Sequence, residues 1–244
     1  MKALITGASK GIGLAIAKRM AKEKIELILT SRNAIELESV KSEIQDEYHN
    51  LRIDCYTADL SHKQDIEKLA SEIYNHHSEI NILVNNAGTY LRGNINDADD
   101  GMLEKLMATN LYSAFHLTRL MLPLLRKRTP GYIFNMSSIA GLEPYSGGHL
   151  YCISKFALTG FSQCLREELM QDGIKVCTIY PGATWSDSWK GADLPIDRIM
   201  QASDIAEAIA AQLKMSPSAV IEEILLRPRV GGRGGIITVL FHTN

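Results

Sequence analysis

The stretch Thr6-Gly7-Ala8-Ser9-Lys10-Gly11-Ile12-Gly13 leaves few folds open to this chain. It follows directly on Ala3-Leu4-Ile5, an apolar run of the kind that forms a strand buried on both faces. It opens into Leu14, Ile16, Ala17, Met20 and Ala21, which recur at helical spacing. Glycines in such a turn permit a tight bend, let the backbone approach a ligand and let the helix pack closely on the sheet. The start of the helix then offers unsatisfied N–H groups and a partial positive charge, which suit a phosphate. Glycines floating in a loop would carry no such meaning. Between a strand and a helix they predict a dinucleotide site, in a variant of G-x-G-x-x-G spacing.

Strand and helix patterns then alternate to the end of the chain. Further strands are expected at 25–29, 51–57, 80–84, 132–136, 175–180 and 220–226. Helices are expected over about 34–48, 62–78, 101–109 and 110–128, through Tyr151 to 171, and from Ser203 to 215. This order predicts an α/β fold, a three-layer doubly wound Rossmann fold with a seven-stranded parallel sheet. At 244 residues the chain fits one such domain, expected over 1–228. Residues 229–244 form a C-terminal tail, where Gly231-Gly232-Arg233-Gly234-Gly235 precedes an apolar stretch at 236–241. A flexible extension, an edge strand and an oligomer contact are all compatible with it.

The net charge of −2 gives no support to a nucleic-acid or anionic-membrane partner. Apolar runs fall short of the ~18 residues of a membrane span. The first strand begins by Lys2, which leaves no room for a signal peptide. Cys55, Cys152, Cys164 and Cys177 lack metal-ligand spacing and read as small, reduced core residues. The expectation is a cytoplasmic protein with no metal.

Two further groups of residues carry chemistry. At the end of the second strand stand Thr30-Ser31-Arg32, with no acid before Glu36. A carboxylate there would accept from a ribose 2′-OH and select NAD. Arg32 can instead fork onto a 2′-phosphate, Ser31 can hydrogen-bond it and Lys10 adds a second charge, so NADP(H) is predicted. The other group is Tyr151 and Lys155, about 40° apart on one helical face. A lysine charge beside a phenol is expected to lower its pKa from about 10 toward the working range of general acid–base catalysis.

In order, these motifs resemble those of the short-chain dehydrogenases/reductases: Thr-Gly-x-x-x-Gly-x-Gly at 6–13, Asn85-Asn86-Ala87-Gly88, Ser138 and Tyr-x-x-x-Lys at 151–155. The resemblance spans about 1–228 and looks closest to 3-oxoacyl-acyl-carrier-protein reductases and sepiapterin-reductase-like carbonyl reductases. It implies hydride transfer between NADP(H) and a small-molecule carbonyl or secondary alcohol. Ser138, thirteen residues before the tyrosine, is implied as the oxyanion partner. Tyr151 is implied as proton donor, Lys155 as its partner and a ribose ligand, and Asn110 as the anchor of a water leading to the lysine.

The same resemblance assigns cofactor contacts to Gly7, Ser9, Lys10, Gly11, Ile12 and Gly13, and to Ser31 and Arg32. Asp59 and Leu60 are implied beside the adenine, and Asn86, Ala87 and Gly88 beside the adenosine. Pro181, Gly182 and Thr184 are implied at the carboxamide. Ser186 stands where many members have threonine, and Ile153 where alanine is frequent. Association as a homodimer or homotetramer is implied through helices bearing Phe115, Leu122, Phe161 and Leu165.

Residues 184–197, with Trp185, Trp189 and Pro195, are expected to form a lid over the nicotinamide. Its tryptophans suit either an apolar or aromatic substrate or plain packing against the body. Tyr90, Leu91 and Tyr145 are candidates to line the same pocket. Nothing in the segment marks a site for a phosphopantetheine arm. A catalytically silent NADP sensor is the alternative, which the intact Asn110, Ser138, Tyr151 and Lys155 disfavour. A longer epimerase or dehydratase would need more than the roughly 70 residues that follow Lys175.

Overall fold

The computed structural model describes residues 1–185 and 196–230. Seven strands form one parallel sheet: β1 (Lys2–Thr6), β2 (Glu26–Ser31), β3 (Ile53–Thr57), β4 (Ile82–Asn85), β5 (Gly131–Met136), β6 (Ile174–Pro181) and β7 (Glu223–Leu226). Their order across the sheet is β3-β2-β1-β4-β5-β6-β7. The direction of winding reverses between β1 and β4, and ligands of open α/β sheets bind at that crevice, at the carboxyl ends of the strands. The expected seven-stranded parallel Rossmann architecture is present.

The sheet separates two cores because alternate strand residues point to opposite faces. Ala3, Ile5, Leu27, Leu29 and Val84 pack under α1 (Gly11–Lys22), α2 (Ala34–Glu47) and α7 (Ala202–Leu213). Leu4, Ile28, Leu83, Ile133 and Val176 face α3 (Lys63–His76), α5 (Ser113–Leu125) and α6 (His149–Leu169). Every residue of β4 and β5 is buried, which explains why these strands read as continuous apolar runs.

Several boundaries shift from the sequence reading. β2 continues through Ser31 because it pairs in register with β1 up to Thr30 and with β3 up to Ser31. β7 starts only at Glu223; just before it, the Ile221 N–H donates to Gln212 Oε1 at 2.6 Å. The helices expected at 101–109 and 110–128 form one rod: α4 (Met102–Met107), a wide π turn (Ala108–Tyr112) and α5. Cys164 is exposed, against the expectation for a core cysteine, while Cys152 and Cys177 are buried. Among the described residues, no helix is long and apolar enough to cross a membrane. Most of the expected lid (186–195) and nearly all of the tail (231–244) lie outside the described residues.

On the outer face, Phe115 and Phe161 meet edge to face at 5.8 Å. With Leu111, Tyr112, His116 and Ala157 they line an apolar groove of about 410 Å³. Leu165 is spent in the chain's own core.

Candidate active site

The glycine loop is tied down from β4. Thr6 Oγ1 donates to the Val84 carbonyl at 3.1 Å and accepts from the N–H groups of Asn86 and Ala87, both at 2.9 Å. Asn86 Nδ2 donates back to the Thr6 carbonyl at 2.9 Å and the Gly7 carbonyl at 3.2 Å. Asn86 thus serves the site by holding the loop. Gly7 sits at φ +62 and Gly11 at φ +56, left-handed conformations that admit glycine readily. A Cβ on Gly13 would lie 2.1 Å from the Gly7 carbonyl oxygen, so only glycine lets α1 come this close.

Helix α1 begins without a side-chain cap and without an acid in its first turn. Asn33, by contrast, accepts from the Ile35 and Glu36 N–H groups and closes the start of α2. The open α1 terminus faces the crevice with its N–H groups and partial positive charge available to an anion. Arg32 is exposed and forms no ion pair among the described residues. Ser31 Oγ sits 3.2 Å from both the N–H and the carbonyl of Asn33.

Asp59 and Leu60 fall less simply. Asp59 Oδ1 accepts from Ser61 N at 3.0 Å and Ser61 Oγ at 2.7 Å, a local turn ahead of α3. Burial pulls its carboxyl upward, but the Ser61 hydrogen bonds and the Arg32 charge outweigh this and hold it below the usual range. The Leu60 side chain packs in the core, which leaves only its backbone for a ligand.

The chemical residues converge from β5, the π turn and α6. Ser138 follows β5 and its Oγ accepts from Ala140 N at 3.2 Å. Its hydroxyl lies near enough to the Tyr151 phenol to favour the phenolate. Lys155 is buried one turn further along α6, its Nζ 5.7 Å from the Tyr151 ring centroid and donating to the Met136 carbonyl at 2.9 Å. Gly88 lies between Asn110 and Lys155: a Cβ there would stand 3.2 Å from Asn110 Oδ1 and 3.5 Å from Lys155 Nζ.

Asn110 occupies the π turn, a feature common at functional sites. Its Oδ1 accepts from Thr89 N at 2.8 Å. Its Nδ2 donates to the Thr89 carbonyl at 3.0 Å and to Ser154 Oγ at 2.9 Å. Ser154 Oγ in turn donates to the Tyr151 carbonyl at 2.7 Å. The side chain therefore braces the β4 loop against α6. Thr89 and Ser154 were missed in the sequence, where a hydroxyl three residues after the tyrosine was the one available signal.

Burial pushes the Tyr151 phenol up to about 12, opposed by the nearby Ser138 hydroxyl. This corrects the expected downward shift. Lys155 is itself stripped of water and held by Met136, and burial brings it down to about 8. Desolvation therefore wins over attraction at both groups in the free protein.

Around this centre, Tyr90 meets the Tyr151 ring edge to face at 5.1 Å. Gly182 N donates to the Leu226 carbonyl at 2.8 Å, and Thr184 Oγ1 donates to the Gly182 carbonyl at 2.9 Å. These bonds fix the turn that leaves β6 at Pro181. Among the described residues, no three His, Cys, Asp or Glu side chains group to hold a metal.

Fold and site together define a nucleotide-type oxidoreductase. The chain belongs to the short chain dehydrogenase family, whose profile matches residues 1–194. It is 33% identical over 236 residues to a sepiapterin reductase of Chlorobaculum tepidum, covering 93% of this chain and 96% of that one. A metagenomic short-chain oxidoreductase solved in complex with NADP superposes with TM-score 0.81 at 30% identity, covering 95% of this chain and 98% of that chain. The L-sorbose reductase of Gluconobacter frateurii, solved with NADPH and L-sorbose, gives TM-score 0.86 at 25% identity over 98% of this chain and 97% of that chain.

Proposed function

We propose that the protein is an NADP(H)-dependent oxidoreductase acting on a carbonyl or secondary alcohol, with Tyr151 as its acid and base. The observation that carries this reading is the meeting of Tyr151 with Ser138 and buried Lys155, whose Nζ stands 5.7 Å from the phenol ring, at the strand ends that also hold the uncapped α1 terminus.

The residues present fit the dinucleotide. Gly7, Ser9, Lys10, Gly11, Ile12 and Gly13 would hold the pyrophosphate on the bare N-terminus of α1. Arg32 and Ser31 would hold the 2′-phosphate, and the absence of a carboxylate at this position supports NADP(H) over NAD(H). Asp59 with the Leu60 backbone would meet the adenine, and Asn86, Ala87 and Gly88 the adenosine side. Lys155 and Tyr151 would hold the nicotinamide ribose, and Pro181, Gly182 and Thr184 the carboxamide. When bound, NADPH supplies the hydride. NADP-bound and NADPH-bound neighbours support the same reading.

Each catalytic group then has a defined task. Ser138 Oγ–H donates to the substrate oxygen as negative charge develops on it. Tyr151, with its pKa raised to about 12, is protonated at neutral pH and gives its proton to that oxygen during reduction. Lys155 stabilises the phenolate left behind, and Asn110 keeps α6 aligned through Ser154. The groove at Phe115 and Phe161 suits association with a second copy.

The test is NADPH oxidation against aldehydes, diketones, acetoacetyl esters and pterins. Tyr151→Phe is expected to abolish turnover and leave NADPH binding nearly intact, and Arg32→Asp to weaken NADPH relative to NADH. Tight NADPH binding with silence across the panel would refute catalysis and favour a sensor.

A further inference from the structure

We propose that Tyr90, on a loop clasped to the one that carries Tyr145, forms an aromatic wall that selects flat, uncharged carbonyl substrates. This deepens the reductase reading above and rests on it. One edge of the Tyr90 ring is spent on Tyr151, at 5.1 Å and 79°. Burial and the neighbouring Tyr90 phenol push the Tyr145 hydroxyl upward, so the two rings stand near each other. Yet Tyr90 remains 49% exposed and Tyr145 39%. Leu142 and Trp185, on loops that follow β5 and β6, are open to a similar degree. An open aromatic ring set directly against the proton donor marks a binding surface.

The cluster is built. The two loops that carry Tyr90 and Tyr145 are clasped: Gly93 N donates to the Gly147 carbonyl at 3.0 Å, and Gly147 N to Asn94 Oδ1 at 2.9 Å. Gly147 adopts φ +80. At Gly148, a Cβ would lie 2.4 Å from Tyr145 Cε2, so glycine is what lets that ring fold over the start of α6.

Among the described residues, the two loops are also short of charge. Within 88–91 and 138–151 the ionisable groups besides tyrosine are Glu143 and His149, and Glu143 pairs with Arg227 at 2.6 Å. The nearest cation in sequence, Arg92, lies against Gly147, its Nε 3.3 Å from the Cβ position there. A conjugated ring laid against Tyr90 gains offset stacking and sets its carbonyl at Ser138 and Tyr151. The reduction transfers one hydride from NADPH to the carbonyl carbon and one proton from Tyr151 to its oxygen, giving the alcohol and NADP.

The experiment compares isatin, a flat cyclic ketone, with aliphatic 2,3-butanedione and anionic acetoacetate. Tyr90→Ala is expected to lower kcat/KM for isatin about tenfold, mainly through KM, while 2,3-butanedione changes less than about threefold. Tyr90→Phe keeps the ring and should stay close to wild type on both. Oxindole, which lacks the reactive ketone, should bind the NADP-loaded wild type and Tyr90→Phe but not Tyr90→Ala, read by tryptophan quenching. Equal loss of kcat on both diketones would overturn the proposal, because Tyr90 would then only prop Tyr151. So would preference for acetoacetate that disappears in Arg92→Ala. If no ketone is reduced, the reductase reading fails, and oxindole decides the wall: Tyr90-dependent binding upholds it and absence of binding overturns it.

Discussion

Replacing Gly13 with alanine should push α1 off the glycine loop. The new Cβ would stand 2.1 Å from the Gly7 carbonyl oxygen and 2.7 Å from Asn86 Nδ2. Non-bonded heavy atoms settle at about 3.5 Å, so roughly 1 Å of movement is required. The loop cannot yield freely, because Thr6 and Asn86 hold it with five hydrogen bonds joining it to β4 and the segment just after it. Overpacking of this kind costs about 1–3 kcal/mol, and loss of the Asn86–Gly7 hydrogen bond adds about 1 kcal/mol. At this chain length the sum corresponds to a melting temperature lower by roughly 5–15 °C. Displacing the α1 N–H groups should also weaken NADPH by at least about tenfold, measured by fluorescence titration. A Gly13→Ala protein that melts within about 2 °C of wild type and binds NADPH unchanged would refute the close-approach argument.

Gly160→Ala, in α6, should have the opposite sign: a Cβ there meets nothing within 4 Å, and helix propensity adds about 0.5–1 kcal/mol. A lower urea midpoint would show instead that this face is packed by another chain. Lys155→Met should lose turnover yet melt higher than wild type at pH 7. Burial holds Lys155 near pKa 8 against 10.5 when free, a penalty on the order of 3 kcal/mol that is full below pH 8 and fades toward pH 10.5. A methionine variant that melts lower at pH 7, or a gap that widens with pH, would contradict that sign. Asn135→Ala should destabilise by about 2–4 kcal/mol in urea titration, because buried Asn135 joins Asn85 at 2.8 Å to Ser162 at 2.8 Å and both would lose a partner. An unchanged midpoint would mean that the network rearranges freely.

The sheet was legible in the sequence because its cause is local and repeated. Runs such as Ala3-Leu4-Ile5 and Ile82-Leu83-Val84 are apolar on both faces, and the helices between them carry a single apolar stripe. The Tyr151–Lys155 spacing and the glycines at 7, 11 and 13 belong to the same class, since helix geometry and turn sterics act within a few residues. What happens between distant segments is decided by tertiary structure. Asn86, expected beside the adenosine, also braces Thr6 and Gly7, about eighty residues away in sequence. The break between the helices at 101–109 and 110–128 is a π turn around Asn110, set by its bonds to Thr89 and Ser154. The direction of the Tyr151 shift was missed because attraction to Lys155 is readable from spacing, whereas desolvation depends on everything packed around the pair. The sequence by itself determined the winding of the chain and the chemical groups at its strand ends. Only tertiary structure decided which polar side chains are held by the protein and which face the crevice, because hydrogen-bond partners and water exclusion are set by contacts between segments far apart in the chain.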